Sequence, residues 1–240
     1  MPDAAGSVDE PLEGGRGARP TLGSPFGPLV TTVPGSLRFY FGTMGAGKST
    51  LALQIHHNLS QRGSGLLLTR HDREGASVSS ALGVSARAVV VTDELDVLEL
   101  VRSTDDERGL DFVVCDEAQF YAPHQVDQLA DVADELGIDV YAFGLLTDFR
   151  GHLFPATARL LELADERNEL HVQARCWCGA AATHNARLVD GEQVYAGDVV
   201  VIDDGSHVTY ELRCRLHWRQ GRGPDQPALF DGVVTTTRRS

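Results

Sequence analysis

Short apolar runs separated by helix-period segments occupy the middle of the chain. Residues 37–41, 66–69, 88–92, 111–115 and 138–143 are each a few residues long and rich in aliphatic, aromatic or β-branched side chains. That is the pattern of parallel strands buried on both faces. Between them, Leu51, Ile55 and Leu59 recur at helical spacing and Gly63 supplies a stop; residues 95–102 and 123–136 are further helical candidates. Alternation of this kind predicts an α/β domain with a mainly parallel sheet flanked by helices. The acidic run Asp105-Asp106-Glu107 reads as a solvated loop, and His56 and His57 as ordinary helix-surface or packing residues. From about residue 170 the chain turns to Cys, His, Gly and short strands, so a main domain over 37–170 and a smaller unit over 171–218 are expected. Residues 1–36 lack apolar periodicity and read as a disordered leader, and 219–240 read as a flexible tail.

Composition narrows the partners. At 240 residues and 42% hydrophobic content the chain can bury a full core. A net charge of −13 argues against a nucleic-acid backbone as the main partner, but leaves room for a local pocket that takes small anions. No run approaches the roughly 18 apolar residues of a membrane span. No basic start followed by an apolar stretch marks a secretory signal, so a soluble cytoplasmic protein is expected.

The sharpest chemical signal is Gly42-Thr43-Met44-Gly45-Ala46-Gly47-Lys48-Ser49, a full match to G-x-x-x-x-G-K-[ST] between a strand and a helix. Backbone N–H groups and the helix N-terminus would cradle phosphates, Lys48 would reach the terminal ones, and Ser49 would ligate Mg²⁺. Asp116-Glu117-Ala118-Gln119-Phe120 follows the strand at 111–115, and in a parallel sheet that strand end should face the phosphate loop. Asp116 is the candidate Mg²⁺ ligand and Glu117 the candidate general base, with Gln119 taken as a phosphate-side residue. D-E-A-Q also resembles a helicase box, but one domain with net negative charge lacks the second motor domain and the basic track.

Cys176-Trp177-Cys178-Gly179 and, 36 positions after Cys178, Cys214-Arg215-Leu216-His217 suggest a structural zinc site made by Cys176, Cys178, Cys214 and His217. The first pair is C-x-C, tighter than the usual C-x-x-C. Trp177 reads as packing against this knuckle. Cys115, at the end of an apolar run, reads as a buried small hydrophobe. His184 and Asn185 fit either a turn or the lining of a site.

Taken in order, G-T-M-G-A-G-K-S-T, D-E-A-Q-F, Thr147-Asp148-Phe149-Arg150-Gly151 and the two-part Cys/His knuckle resemble the type II thymidine kinases across residues 37–218. The resemblance implies a RecA-like P-loop domain with a zinc-bearing lasso subdomain, and transfer of the ATP γ-phosphoryl group to the 5′-hydroxyl of thymidine. It further implies Glu117 as the base and His71, Asp72 and Arg73 as a segment approaching the phosphates. Phe120, Phe149 and Met44 become walls of the nucleoside pocket. A loop between about residues 187 and 213 would read the base through its backbone, with Val199, Val200, Val201, Ile202 and Asp203 near thymine and Tyr210 on the far side. Homotetramer formation and inhibition by dTTP come with the resemblance. Leu146 departs from it, standing where an acidic residue is common, and the segment 192–207 is longer and more acidic than the pattern. A P-loop ATPase or GTPase switch with a zinc knuckle is the alternative that the motifs leave open.

Overall fold

Residues whose side chains are apolar in both directions have to be covered on both faces, and the sheet is built that way. The computed structural model describes residues 33–70, 77–79, 83, 85–170, 174–199, 208–221 and 223. Six strands, β1 (Leu37–Phe41), β2 (Gly65–Thr69), β5 (Val89–Val90), β6 (Phe112–Asp116), β7 (Asp139–Gly144) and β8 (Glu166–Glu169), form a sheet in the order β5-β2-β6-β7-β1-β8. Every pairing in it is parallel. Between β2 and β5 lies a small antiparallel hairpin, β3 (Ser77–Ser79) with β4 (Ser85–Arg87).

Period-two alternation sends side chains to opposite faces. On β6, Phe112 and Val114 pack with Ala52 and Leu53 of helix α1 (Lys48–Ser60). Val113 and Cys115 point the other way, toward α2 (Val97–Arg108), α3 (Pro123–Leu136) and α4 (Pro155–Leu163). All five β6 residues are buried, so this strand is the centre of the three layers. Cys115 is fully buried, and burial pushes its thiol up to about 12, leaving a neutral packing group.

A second sheet carries the cysteine-rich segment: β10 (Glu192–Val194), β9 (His184–Val189) and β11 (Val208–Arg213) in that order, both pairings antiparallel, followed by the short helix α5 (Arg215–Gln220). Among the described residues no helix is long and apolar enough to cross a membrane.

The structure corrects one sequence-based expectation, decides one that was open and adds an element the pattern did not announce. Asp105, Asp106 and Glu107 form the last turn of α2 rather than a loop. The helix persists because Val97 and Val101 are buried, Asp96 caps the first turn through Glu99 N, and Gly109 ends it. His184 and Asn185 lie in β9, not a turn. The edge strand β8, of sequence Glu-Arg-Asn-Glu, has no apolar signature because it joins β1 through its main chain and keeps its side chains largely toward solvent.

Gly35 marks a place where only hydrogen fits. Its N–H donates to Ala133 O at 2.8 Å, and a Cβ there would collide with the Ile138 backbone. Gly35→Ala is expected to lower stability by about 1–3 kcal/mol, seen as a lower urea midpoint at unchanged slope; an unaltered midpoint would contradict this packing.

Candidate active site

Three strand ends converge. β1 runs into the phosphate loop, β6 ends in Asp116 and Glu117, and β7, which lies between them, ends in Gly144. Phe41 pairs with Gly144 and Cys115 with Ala142, so the ends stop almost level. Gly45 (φ 69°) and Gly47 (φ 77°) take the left-handed conformation that lets the loop curl, and α1 begins at Lys48 with no side-chain cap on its first N–H groups.

Lys48 is buried, and its ammonium donates to Thr43 O at 2.9 Å and Gly42 O at 3.4 Å. Burial lowers its pKa, while Glu117 and Asp116 oppose that shift. Asp116 is 3% exposed; burial and the neighbouring Glu117 charge raise its carboxyl to about 6, against hydrogen bonds from Ser49 and Glu117 N and the charge of Lys48. Its Oδ1 is buried without a partner, while Ser49 bonds the same carboxylate. An orphaned carboxylate oxygen beside a hydroxyl and a lysine suits a hard, oxygen-preferring cation such as Mg²⁺.

Glu117 has φ 52° and ψ 34°, a left-handed backbone that is costly for a residue with a side chain. Gln119 Nε2 donates to Glu117 Oε2 at 2.5 Å, and Gln119 Oε1 accepts from Leu145 N at 3.0 Å. The amide thus ties the carboxylate to the end of β7. Gly144 permits this, since a Cβ there would meet Gln119 Oε1 at 2.9 Å and its N at 3.1 Å. Gln119 therefore braces Glu117, a role the sequence reading, which put it beside the phosphates, did not anticipate.

The four ligand atoms of Cys176, Cys178, Cys214 and His217 lie within 4.8 Å of one another. Cys176 Sγ is 3.3 Å and Cys214 Sγ 3.4 Å from His217 Nδ1, and Cys178 Sγ is 4.0 Å from Cys214 Sγ. Tetrahedral zinc with ordinary Zn–S and Zn–N bonds requires edges of roughly 3.5–3.8 Å, so these three separations fit a zinc-sized site. Burial opposes the Cys176 thiolate, but the Cys178 and Cys214 N–H groups and His217 outweigh it and bring the thiol down to about 6. Trp177 stacks on His217 with ring centroids 3.9 Å apart, in the packing role expected of it.

The small sheet reaches the phosphate loop directly: Asn185 Oδ1, buried on β9, accepts from Met44 N at 2.9 Å. A cleft of about 340 Å³ lies beside this contact, lined among others by Gly42, Thr43, Leu146, Leu170 and Asn185. Asp148 is buried and organises the 147–153 turn, accepting from Arg150 N at 2.9 Å, His152 N at 3.0 Å and Arg150 Nε at 2.7 Å. Trp218 of α5 donates to Phe149 O at 3.0 Å.

The family model described as "Thymidine kinase" matches residues 35–218. The chain belongs to the thymidine kinase family. A thymidine kinase of Streptomyces coelicolor is 52% identical over 191 residues, covering 77% of this chain and 88% of that one. That of Cutibacterium acnes is 51% identical with the same coverage, and that of Ruegeria pomeroyi 42% identical over 78% of this chain and 95% of its own. Among solved structures, the Pif1 helicase of Candida albicans aligns at TM-score 0.39 and 17% identity over 57% of this chain and 36% of that one, too remote to bear on function.

Several residues assigned by family resemblance can now be placed. Phe120 is half-buried and meets Phe154 edge-on at 5.5 Å. Phe149 is buried beneath the Arg187 guanidinium, which lies 3.9 Å from its ring centroid. Tyr210 is 41% exposed and its hydroxyl accepts from Arg187. Val199 contributes its carbonyl to the same arginine. His71, Asp72, Arg73, Val200, Val201, Ile202 and Asp203 lie outside the described residues. Sequence reasoning left Asn185 open between a turn and a site lining and missed Arg187 and the bracing by Gln119, because contacts to atoms distant in sequence leave no local signal.

Two outcomes follow for this site. The purified enzyme is expected to carry about one zinc per chain by atomic emission, and Cys214→Ser to lose it with a lower Tm; full stability without metal would refute the structural site. Asp116 also predicts a pH effect of definite sign. Its folded pKa, about 6, lies above the unfolded carboxylate value of about 3.9. Between these the native state keeps a proton that the unfolded state has lost, so raising pH through that window removes stability. In ligand-free, Mg²⁺-free protein, Asp116→Asn should therefore raise stability by roughly 1–3 kcal/mol at pH 7.5 and much less at pH 4.5. Equal effects at both pH values would contradict a buried carboxylate.

Proposed function

We propose that the enzyme transfers the γ-phosphoryl group of ATP to the 5′-hydroxyl of thymidine, giving dTMP and ADP. The observation that carries this reading is a carboxylate, Glu117, braced by Gln119 beside a complete phosphate loop, in a chain half identical to thymidine kinases. The loop N–H groups of residues 42–49 and the α1 N-terminus bind the phosphates. Lys48 then leaves its loop carbonyls for the β- and γ-phosphates. Ser49 and Asp116 would hold Mg²⁺, which would supply charge neutralisation on the phosphates. Glu117 takes the 5′-hydroxyl proton as that oxygen forms its bond to phosphorus in line and the bond to the ADP oxygen breaks. Fixing its carboxylate through Gln119 leaves little reorientation for the moment of transfer.

The nucleoside is held between the 145–149 turn and the small sheet, with Phe120, Phe149 and Met44 as apolar surfaces and the 187–213 loop against the base; His71, Asp72 and Arg73 approach the phosphates. In this reading 37–170 is the kinase domain and 171–218 the zinc-bearing substrate unit. A cytoplasmic homotetramer inhibited by dTTP, with neither nucleic acid nor membrane as partner, completes it.

The test is phosphoryl transfer from labelled ATP with Mg²⁺ to thymidine, deoxyuridine, deoxycytidine or no acceptor. Thymidine-dependent dTMP formation is expected, with Glu117→Gln lowering kcat by about 10²–10⁴-fold. ATP hydrolysis indifferent to nucleoside would overturn the reading in favour of a nucleotide-dependent switch.

A further inference from the structure

Arg187 is 2% exposed, among the largest fully buried side chains of the described residues. It sits on β9 directly opposite Tyr210 of β11 and Val194 of β10. Its Nε donates to Tyr210 Oη at 3.0 Å and its Nη2 to the same oxygen at 2.9 Å. Nη1 donates to Asp198 O at 2.5 Å and Nη2 also to Val199 O at 2.8 Å. One guanidinium face lies on the Phe149 ring. Gly197, at φ 113°, turns the chain after β10 so that the 198 and 199 carbonyls come back over the guanidinium.

We propose that Arg187 is the positioning residue of the nucleoside site, clamping the 198–199 backbone and Tyr210 onto the Phe149 turn. This rests on the thymidine kinase reading for what the clamped groups then bind. Such a role needs a planar group whose several N–H donors point to both sides at once while its face stacks on an aromatic ring. An ammonium offers neither the plane nor the span. Tyr210 is thereby given a direction: its oxygen accepts twice from Arg187, so its remaining capacity is to donate its hydroxyl proton, to an acceptor on the nucleoside. The 198 and 199 carbonyls are likewise turned toward the guanidinium.

The test varies ATP and thymidine separately for wild type, Arg187→Lys and Arg187→Met, with hydrogen exchange followed in peptides covering 194–199 and 208–213. Both variants should raise the thymidine KM by about tenfold or more and speed exchange in those two peptides. The KM for ATP and the zinc content should stay within about twofold, and Lys should rescue little because charge alone does not make the clamp. A thymidine KM that is unchanged, one that rises together with the ATP KM, or one that Lys restores fully would each overturn the proposal. Should wild type fail to phosphorylate thymidine, the activity reading falls by itself. Exchange then decides the clamp: faster exchange confined to the two peptides supports it, and unaltered exchange refutes it.

Discussion

Parallel pairing of β1, β7 and β6 in nearly level register is the constraint on which the active site depends. The 42–49 loop, Asp116 and Glu117 all stand at strand ends, and none of these residues would meet if the strands ran antiparallel or slipped by two. With Phe41 opposite Gly144 and Cys115 opposite Ala142, the phosphate loop and Asp116-Glu117 emerge on either side of β7. That register is held by the apolar alternation of the strands, because a one-residue slip would send Val113 and Phe112 to each other's faces. Packing of the core thus determines where charge is placed.

Burial then makes the charges consequential. Lys48 and Asp116 are both taken out of water; the Glu117 and then the Asp116 charge favour the ammonium, while Ser49, the Glu117 N–H and lastly Lys48 favour the carboxylate, and in both groups burial outweighs them. Without ligand, Lys48 rests on carbonyls of its own loop and one Asp116 oxygen has no partner. These arrangements are poor for stability and suited to phosphates and a cation, which would satisfy every open valence. The left-handed backbone of Glu117 adds local strain beside these two groups.

The Cys/His cluster contributes through connection. Its four side chains bring the end of β11 and the start of α5 against the turn at 176–178, and β11 pairs with β9. Two alternate residues of that strand then act on different partners: Asn185 on the phosphate loop at Met44, and Arg187 on Phe149, Tyr210 and the 198–199 backbone. Trp218 joins α5 to the same Phe149 turn. A strand from the small sheet therefore touches both the 42–49 loop and the Phe149 turn of the large unit.

The sequence by itself determined the elements whose cause is local. Buried strands declared themselves by apolar runs, α3 by its apolar period from Pro123 to Leu136, the phosphate loop by its glycines, and the metal ligands by their residue types. Local pattern fell short where a feature answers to remote atoms. The polar strand β8 exists because β1 has an open edge, and the acidic end of α2 stays helical because Val97 and Val101 are anchored in the core. Only the tertiary structure decided that Gln119 braces Glu117, that three cysteines and His217 come within 4.8 Å of one another, and that Asn185 reaches the 42–49 loop while Arg187 reaches Tyr210 and Phe149. In each of these cases the partner is a backbone atom or a side chain brought near by folding, and the chain order of residue types does not encode that distance.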